Sequence, residues 1–136
     1  MPFELVPQAA ADRTPRLRVS LGGFAKGRSA RCLSVVLHPE LLARLGWSFE
    51  DRIGLRVGHG RDLGKVQLFQ HPAGARLGCM PGSALGLLRL RPGEMLGALE
   101  APSAPAEHDV VRGELHVILP WADLEEALRE AGAWAA

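Results

Sequence analysis

The amino-acid sequence predicts a mainly β (α+β) fold, namely a small, mostly antiparallel β-barrel with two short helices. Three observations lead to this prediction. Several short segments alternate apolar with polar or basic residues, which is the period of a strand with one buried face. Turns rich in glycine or proline separate these segments. Only two stretches have the apolar spacing of a helix, residues 40–46 and 121–131.

The N-terminal part predicts a flexible arm followed by a strand with an arginine-bearing face. Residues 1–15 have no apolar period and are interpreted as the arm, so that the single β-rich domain spans residues 16–136. Along residues 16–21, apolar and polar residues alternate, with Arg16 and Arg18 on the outward side.

A cationic loop and a second strand come next. Glycines make residues 22–29 a predicted loop, and Lys26 and Arg28 give it positive charge. A glycine-rich backbone can approach a phosphate closely, so this loop is a candidate anion site. Arg31 then precedes an apolar, β-branched run over residues 32–37, which predicts a buried strand.

A short helix and a β-hairpin follow. Pro39 is suited to the first turn of a helix and Gly46 to its C-terminal cap. Residues 52–57 alternate again, with Arg52 and Arg56 outward, and residues 65–70 are expected to return as the partner strand.

The C-terminal half predicts fewer elements. Residues 75–80 and 84–90 indicate two further strands, the second with Arg89 and Arg91 on the face opposite its leucines. Residues 101–109 are rich in alanine and proline and are interpreted as a linker or a long loop. A last strand over residues 113–119 precedes the predicted acidic helix over residues 121–131.

Charge is distributed unevenly along the chain, although the net charge is only +1. Up to Gly93 there are 14 Lys and Arg against 6 Asp and Glu, a balance of +8; from Glu94 onward there are 2 against 9, a balance of −7. A basic body with an acidic tail suggests a polyanionic partner. The arginine excess equally fits a biased base composition of the genome, so both interpretations stay open.

The composition excludes several classes of protein. Two distant cysteines, Cys32 and Cys79, indicate reduced core residues and not a disulfide framework, which favours the cytoplasm. The N-terminus lacks the features of a signal peptide, and no apolar run is long enough for a membrane span. A soluble, cytoplasmic protein without a membrane partner is expected.

Residues 33–68 resemble the AbrB-like (SpoVT/AbrB, MazE-type) swapped-hairpin domains. The shared features are a strand, a short helix ending in Leu45-Gly46, an acidic turn ending at Asp51, and a hairpin. His38 stands where that family has a proline, and Pro39 falls one residue late. The resemblance implies a homodimer whose intertwined hairpins form a barrel. It also implies that three outward arginines contact DNA: Arg31, Arg52 and Arg56.

No catalytic or metal-binding constellation stands out in the sequence. The five histidines have no HxH or HxxxH spacing, and no Cys-x-x-Cys occurs. Residues 58–65 lack the first glycine and the final Ser/Thr of a phosphate-binding loop. We therefore predict a protein that is not an enzyme and needs neither cofactor nor metal.

The first functional prediction is a DNA-binding protein, of the transcriptional-regulator type, that uses arginines on strands and the basic glycine-rich loop. The alternative is a small interaction or inhibitory adaptor that docks through its acidic C-terminal helix. The predicted nucleic-acid contacts are Arg16, Arg18, Lys26, Arg28, Arg31, Arg52 and Arg56.

Overall fold

The computed structural model describes residues 16–23, 31–93 and 100–121, together with Phe3 and Leu96. The strands, in chain order, are β1 (Leu17–Gly23), β2 (Arg31–Leu37), β3 (Arg52–Val57), β4 (Lys65–Gln70), β5 (Ala75–Arg76), β6 (Gly78–Cys79), β7 (Gly86–Leu90), β8 (Ala101–Pro105), β9 (Glu107–Val111) and β10 (Glu114–Ile118). In the described part of the chain, helix α1 (Pro39–Leu45) lies between β2 and β3, and a short 3₁₀ turn (Gly60–Asp62) lies between β3 and β4. Gly93 and Leu96 are also helical.

The strands form two five-stranded antiparallel sheets. The first sheet has the order β6-β7-β2-β1-β8, and the second has the order β5-β3-β4-β10-β9. Alternate residues of the central strands are buried and belong to one apolar cluster that both sheets share. Leu33 and Leu88 of the first sheet and Leu68 and Leu115 of the second are fully buried in it. The inner faces of both sheets therefore build a single core, and the intervening residues face outward.

Two bent segments connect the sheets at their edges. β5 and β6 are separated only by Leu77, and β8 and β9 only by Ala106. Both corner residues are buried, and their backbone N–H groups donate hydrogen bonds, Leu77 to Asp51 O at 2.8 Å and Ala106 to Leu17 O at 3.2 Å. Such bends are the usual way for a chain to pass between two packed sheets.

The helix begins and ends with capping interactions that its sequence supplies. His38 is the N-cap residue and its Nδ1 accepts a hydrogen bond from the Glu40 N–H at 3.2 Å. Pro39 occupies the first turn, where its missing N–H costs nothing. Gly46 ends the helix in the left-handed conformation, at φ 72°. The helix thus starts one residue after the position at which the AbrB-like pattern has its proline.

The mainly β class that the sequence predicts is confirmed. Within the described residues, however, the strands form two separate sheets and no closed barrel. Of the two predicted helices, α1 is present, whereas the helix predicted over residues 121–131 lies outside the described residues except for Trp121. The flexible arm predicted over residues 1–15 also lies outside them, apart from Phe3.

The linker predicted over residues 101–109 is wrong, because this segment forms β8 and most of β9. Its alanines and prolines are poor strand formers in a sheet interior. β8, however, is the edge strand of the first sheet and has only β1 as a neighbour there. Pro102 and Pro105 are tolerated at such an edge, since an edge strand needs hydrogen-bond donors on one side only.

Two further boundaries differ from the prediction. Gly22 and Gly23, expected in the cationic loop, extend β1 and pair with Cys32 and Arg31. The single strand expected over residues 75–80 is divided at Leu77, where the chain changes sheets. Neither feature can be deduced from alternation alone, because both depend on which strand lies alongside.

Candidate nucleic-acid interface

The two sheets carry different charges on their strands. In the first sheet the charged strand residues are Arg18, Arg31 and Arg89, and its five strands contain no Asp or Glu. In the second sheet they are the cations Arg52, Arg56, Lys65 and Arg76 and the acids Glu107, Asp109 and Glu114. The first sheet therefore presents positive charge without acidic residues in the same strands.

The outer side of the first sheet, around Arg18, Arg89 and Arg91, is termed here the arginine face. Strand pairing places Arg18 level with Leu87, two strands away, and aligns Ser20, Ser34 and Arg89 in one cross-strand row. With strand spacings of about 4.8 Å and a rise of about 3.4 Å per residue, the Cα atoms of Arg18 and Arg89 are roughly 12 Å apart.

Arg18 is held in place by a neutral partner. Its Nε donates to Ser103 Oγ at 3.0 Å and its Nη2 donates to Ser103 O at 3.1 Å. Ser103 lies in β8, which pairs with β1 along this edge. The two hydrogen bonds orient the guanidinium without neutralising its charge, so that its remaining N–H groups can bind an anion.

Arg89 lies close to the buried thiol of Cys32. Burial raises the pKa of Cys32, whereas hydrogen bonds with the Ser34 side chain and the Leu90 backbone and, last, the positive charge of Arg89 oppose part of that effect. The thiol, 4% exposed, therefore stays protonated at neutral pH and acts as a small core group. Arg89 itself is exposed, and so is Arg91 directly after β7.

Two acidic residues of the described segments, Glu40 and Glu100, flank the strands of the first sheet. Arg16, just before β1, forms a salt bridge with Glu40 of α1 at 2.8 Å. Glu100, just before β8, lines a shallow depression together with Leu21 and Gly22. Arg16 is thus engaged with the helix, which makes it a weaker candidate for an external anion than Arg18.

Arg56 of the second sheet is enclosed by contacts of its own sheet. Its Nη1 lies 3.1 Å from both Gln67 Oε1 and Glu114 Oε1. The guanidinium also lies over the ring of Phe69, 3.9 Å from the centroid, in a cation–π contact. An external phosphate would have to compete with a carboxylate that is already in place.

Arg52, the other arginine predicted on β3, also has an internal partner. Its Nη1 donates to Gly74 O at 3.2 Å, which ties the end of β3 to the turn before β5. Of the seven predicted contacts, Arg16, Arg18 and Arg31 belong to the first sheet or its border, and Arg52 and Arg56 to the second. Lys26 and Arg28 lie outside the described residues.

Glu114 is the acidic residue of the second sheet that contacts both Arg56 and His116. Its Oε1 lies 3.2 Å from His116 Nε2, in addition to the contact with Arg56. The hydrogen bond from His116, followed by that from Arg56, holds the pKa of Glu114 below its ordinary value of 4.5. The carboxylate is therefore charged throughout the neutral range.

A groove of about 580 Å³ runs over one end of the second sheet. Its walls carry charges of both signs, including Arg56, Lys65, Asp62, Glu107 and Asp109. Lys65 Nζ lies 3.7 Å from Asp62 Oδ1. With mixed and partly paired charges, this groove is not suited to a polyanion.

The candidate contacts predicted from the sequence do not include Arg89 and Arg91, which the structure places on the arginine face. Both are visible in the sequence on the face opposite Leu88 and Leu90, but β7 is separated from β1 by more than sixty residues. Only the sheet order places β7 beside β2 and two strands from Arg18. The sequence signal that could have identified them is the alternation of arginines with leucines over residues 88–91, in a segment without acidic residues.

Comparisons with known proteins give no relationship for this chain: no family model, no curated protein and no solved structure matches. Among the described residues, no group of three or more His, Cys, Asp or Glu side chains could hold a metal ion. The described part of the chain also has no helix of the length and apolar character needed to cross a membrane.

Proposed function

We propose that this protein binds DNA through the arginine face of its first sheet, in the manner of a regulator of transcription or another duplex-binding protein. The observation that carries the proposal is the contrast between the sheets: arginines without acidic strand residues in the first, paired charges in the second. Arginine suits this role because its planar guanidinium stays charged and bonds phosphates bidentately.

The geometry favours contacts with the phosphate backbone. A five-stranded sheet is too wide to enter a groove, but its outer side chains can reach phosphates along the groove edges. The separation of roughly 12 Å between Arg18 and Arg89 is comparable to the width of the major groove, about 12 Å. The hydroxyls of Ser20 and Ser34, in the row of Arg89, are additional donors of the kind that bind phosphate oxygens.

We further propose that the protein forms a homodimer whose swapped hairpins build a barrel. The order β2, α1, β3 and β4 is the element order that the AbrB-like resemblance requires. A homodimer would present two arginine faces related by a two-fold axis, which suits a palindromic duplex. The molar mass in solution, measured by light scattering, tests this part separately from DNA binding.

The first experiment is fluorescence anisotropy of labelled duplex and single-stranded DNA with nuclease-treated protein, titrated over salt. We expect duplex affinity to fall steeply with log[salt], with a slope of about −0.9 for each phosphate contact. Three to five contacts give a slope between about −2.7 and −4.5. Absence of binding at low salt would contradict the proposal.

Two matched charge reversals identify the face that binds. Arg18→Glu with Arg89→Glu changes the first sheet, and Arg52→Glu with Arg56→Glu makes the same charge change on the second. We expect the first variant to lose duplex binding and the second to keep most of it. The opposite result would favour the contacts implied by the AbrB-like resemblance, and melting curves of both variants control for folding.

The adaptor alternative rests on the acidic helix predicted over residues 121–131, of which the structure describes only Trp121. Trp121 Nε1 donates to Pro102 O at 3.1 Å, so the indole is already used within the chain. DNA binding is therefore the better supported of the two proposals. Failure to bind DNA would make the acidic segment the place to search for a protein partner.

A further inference from the structure

The chain leaves the second sheet and reaches the edge of the first. After β10, Leu119 is buried and its N–H donates to Gly64 O at 2.7 Å. Two residues later the Trp121 indole donates to Pro102 O in β8, the edge strand of the first sheet. Pro102 immediately precedes Ser103, which holds Arg18. The residues that follow Trp121 therefore begin next to the arginine face.

These following residues have the complementary charge. Residues 122–136 contain four acidic residues against Arg129 as the one basic residue, a balance of −3. The acidic residues are Asp123, Glu125, Glu126 and Glu130. The strands of the first sheet, by contrast, carry arginines and no acidic residue.

The segment is long enough to reach the whole face. From β8 to β7 is three strand spacings, about 14 Å. Fifteen residues span about 22 Å as a helix and more than twice that when extended. Because the segment is tethered at Trp121, its effective concentration at the face is of millimolar order.

We propose that residues 122–136 bind to the arginine face and compete there with DNA. The inference rests on the proposed function, since it assigns an intramolecular competitor to the same surface. The attraction is electrostatic, so each charge pair contributes modestly and salt weakens all of them. A ligand must therefore bind the arginine face more strongly than this segment does. A strongly charged duplex meets this condition, and weaker polyanions do not.

The main test keeps the full chain and removes only the acidic charge. The variant carries Asp123→Asn, Glu125→Gln, Glu126→Gln and Glu130→Gln. We expect duplex affinity about tenfold tighter than that of the unchanged protein in 50 mM salt, with a smaller gain in 200 mM salt as the Debye length shortens to below about 10 Å. Anisotropy of labelled duplex DNA measures both values.

A control variant neutralises acidic residues elsewhere. Glu107→Gln with Asp109→Asn removes two carboxylates from β9, which belongs to the second sheet and pairs with β10. If the gain came only from a change in net charge, this variant would gain in proportion to its two charges. We expect an increase of less than twofold.

A second measurement does not depend on DNA. A labelled peptide of residues 122–136 is titrated with the full chain that carries the four neutralising substitutions, with or without Arg18→Glu and Arg89→Glu. Binding that is lost in the reversed variant supports the inference, whereas absence of peptide binding overturns it. Equal DNA affinity of the unchanged and neutralised full chains also overturns it while leaving the proposed function intact. Peptide binding without any DNA binding overturns the proposed function alone.

Discussion

Arg18 in β1 and Arg56 in β3 occupy the same kind of position, yet their surroundings differ completely. Each is an outward residue of an alternating strand, Arg18 between two buried residues and Arg56 between two partly buried ones. Arg18 contacts the neutral Ser103, whereas Arg56 contacts Glu114, Gln67 and the ring of Phe69. The pattern within a strand therefore fixes which side an arginine faces, and the neighbouring strands decide whether its charge is available to a partner.

The inner faces of the two sheets, unlike their outer faces, are equivalent. Leu33 of β2 and Leu68 of β4 are both fully buried in the shared core. We expect Leu33→Ala and Leu68→Ala each to lower the free energy of unfolding by about 2–5 kcal/mol, from lost burial and an unfilled cavity. Urea denaturation measures both.

If these two variants lose clearly different amounts of unfolding free energy, the two sheets do not share one common core. If Leu68→Ala were nearly neutral while Leu33→Ala unfolded the protein, the sheets would be independent in stability. Matching losses with unchanged m-values would instead show that both sheets unfold as one cooperative unit.

The outer faces are predicted to differ in their salt-dependent contacts with DNA. Arg18→Gln removes one phosphate contact, so we expect the slope of log K against log[salt] to become shallower by about one unit. Arg56→Gln should leave the slope unchanged, because Glu114 already neutralises that guanidinium. Anisotropy titrations at several salt concentrations compare the two.

This pair of single substitutions sharpens the contrast beyond the charge reversals. A glutamine keeps a hydrogen-bonding side chain and introduces no repulsion, so a change in slope reports a lost contact. Equal slope changes in both variants would mean that DNA contacts both sheets, and the contrast between them would have no functional meaning.

The sequence predicted the elements whose signals are local. The β3–β4 hairpin has the predicted boundaries over residues 52–70, and α1 begins at Pro39 and ends before Gly46 as expected. These elements depend on alternation, a proline at the first turn and a glycine cap, all within a few residues. The strands over residues 101–111 were missed, because only the edge position of β8 makes its prolines acceptable.

The candidate interface could be predicted only in part, for a related reason. Arg18 was identified because alternation directs it outward, but so were Arg52 and Arg56, whose internal partners come from residues 67–114. Arg89 was left out because its proximity to Arg18 depends on the order β7-β2-β1. Whether the charge of an arginine is compensated depends on which strands lie next to it. The order of the strands in the sheet cannot be read from any single segment of the sequence.

Stability measurements compare the same two arginines. Arg56→Ala removes a half-exposed ion pair and a cation–π contact, so we expect a loss of about 1 kcal/mol. Arg18→Ala removes two hydrogen bonds to Ser103 at an exposed site, and we expect a loss of about 0.5 kcal/mol or less. Thermal melts at neutral pH and low salt give the order, and a reversed order would contradict the assignment of Arg56 to a structural role.

The smallest expected effect is the acid dependence of the second sheet. The folded pKa of Glu114 lies below its ordinary value of 4.5, so the unfolded chain binds more protons than the folded one near that pH. The stabilisation by Glu114 is therefore fully present above about pH 5, and it is lost as the pH falls through the folded pKa. Glu114→Gln lacks this stabilisation at every pH.

The melting temperature of the unchanged protein should therefore fall more between pH 6 and pH 3 than that of Glu114→Gln. Arg56→Ala should reduce the difference only in part, because the hydrogen bond from His116 is the larger cause of the shift. Parallel curves for the unchanged protein and Glu114→Gln would show that Glu114 does not hold Arg56 and His116 in solution. Arg56 would then be available to an external anion, and the two sheets would differ less than their strand charges imply.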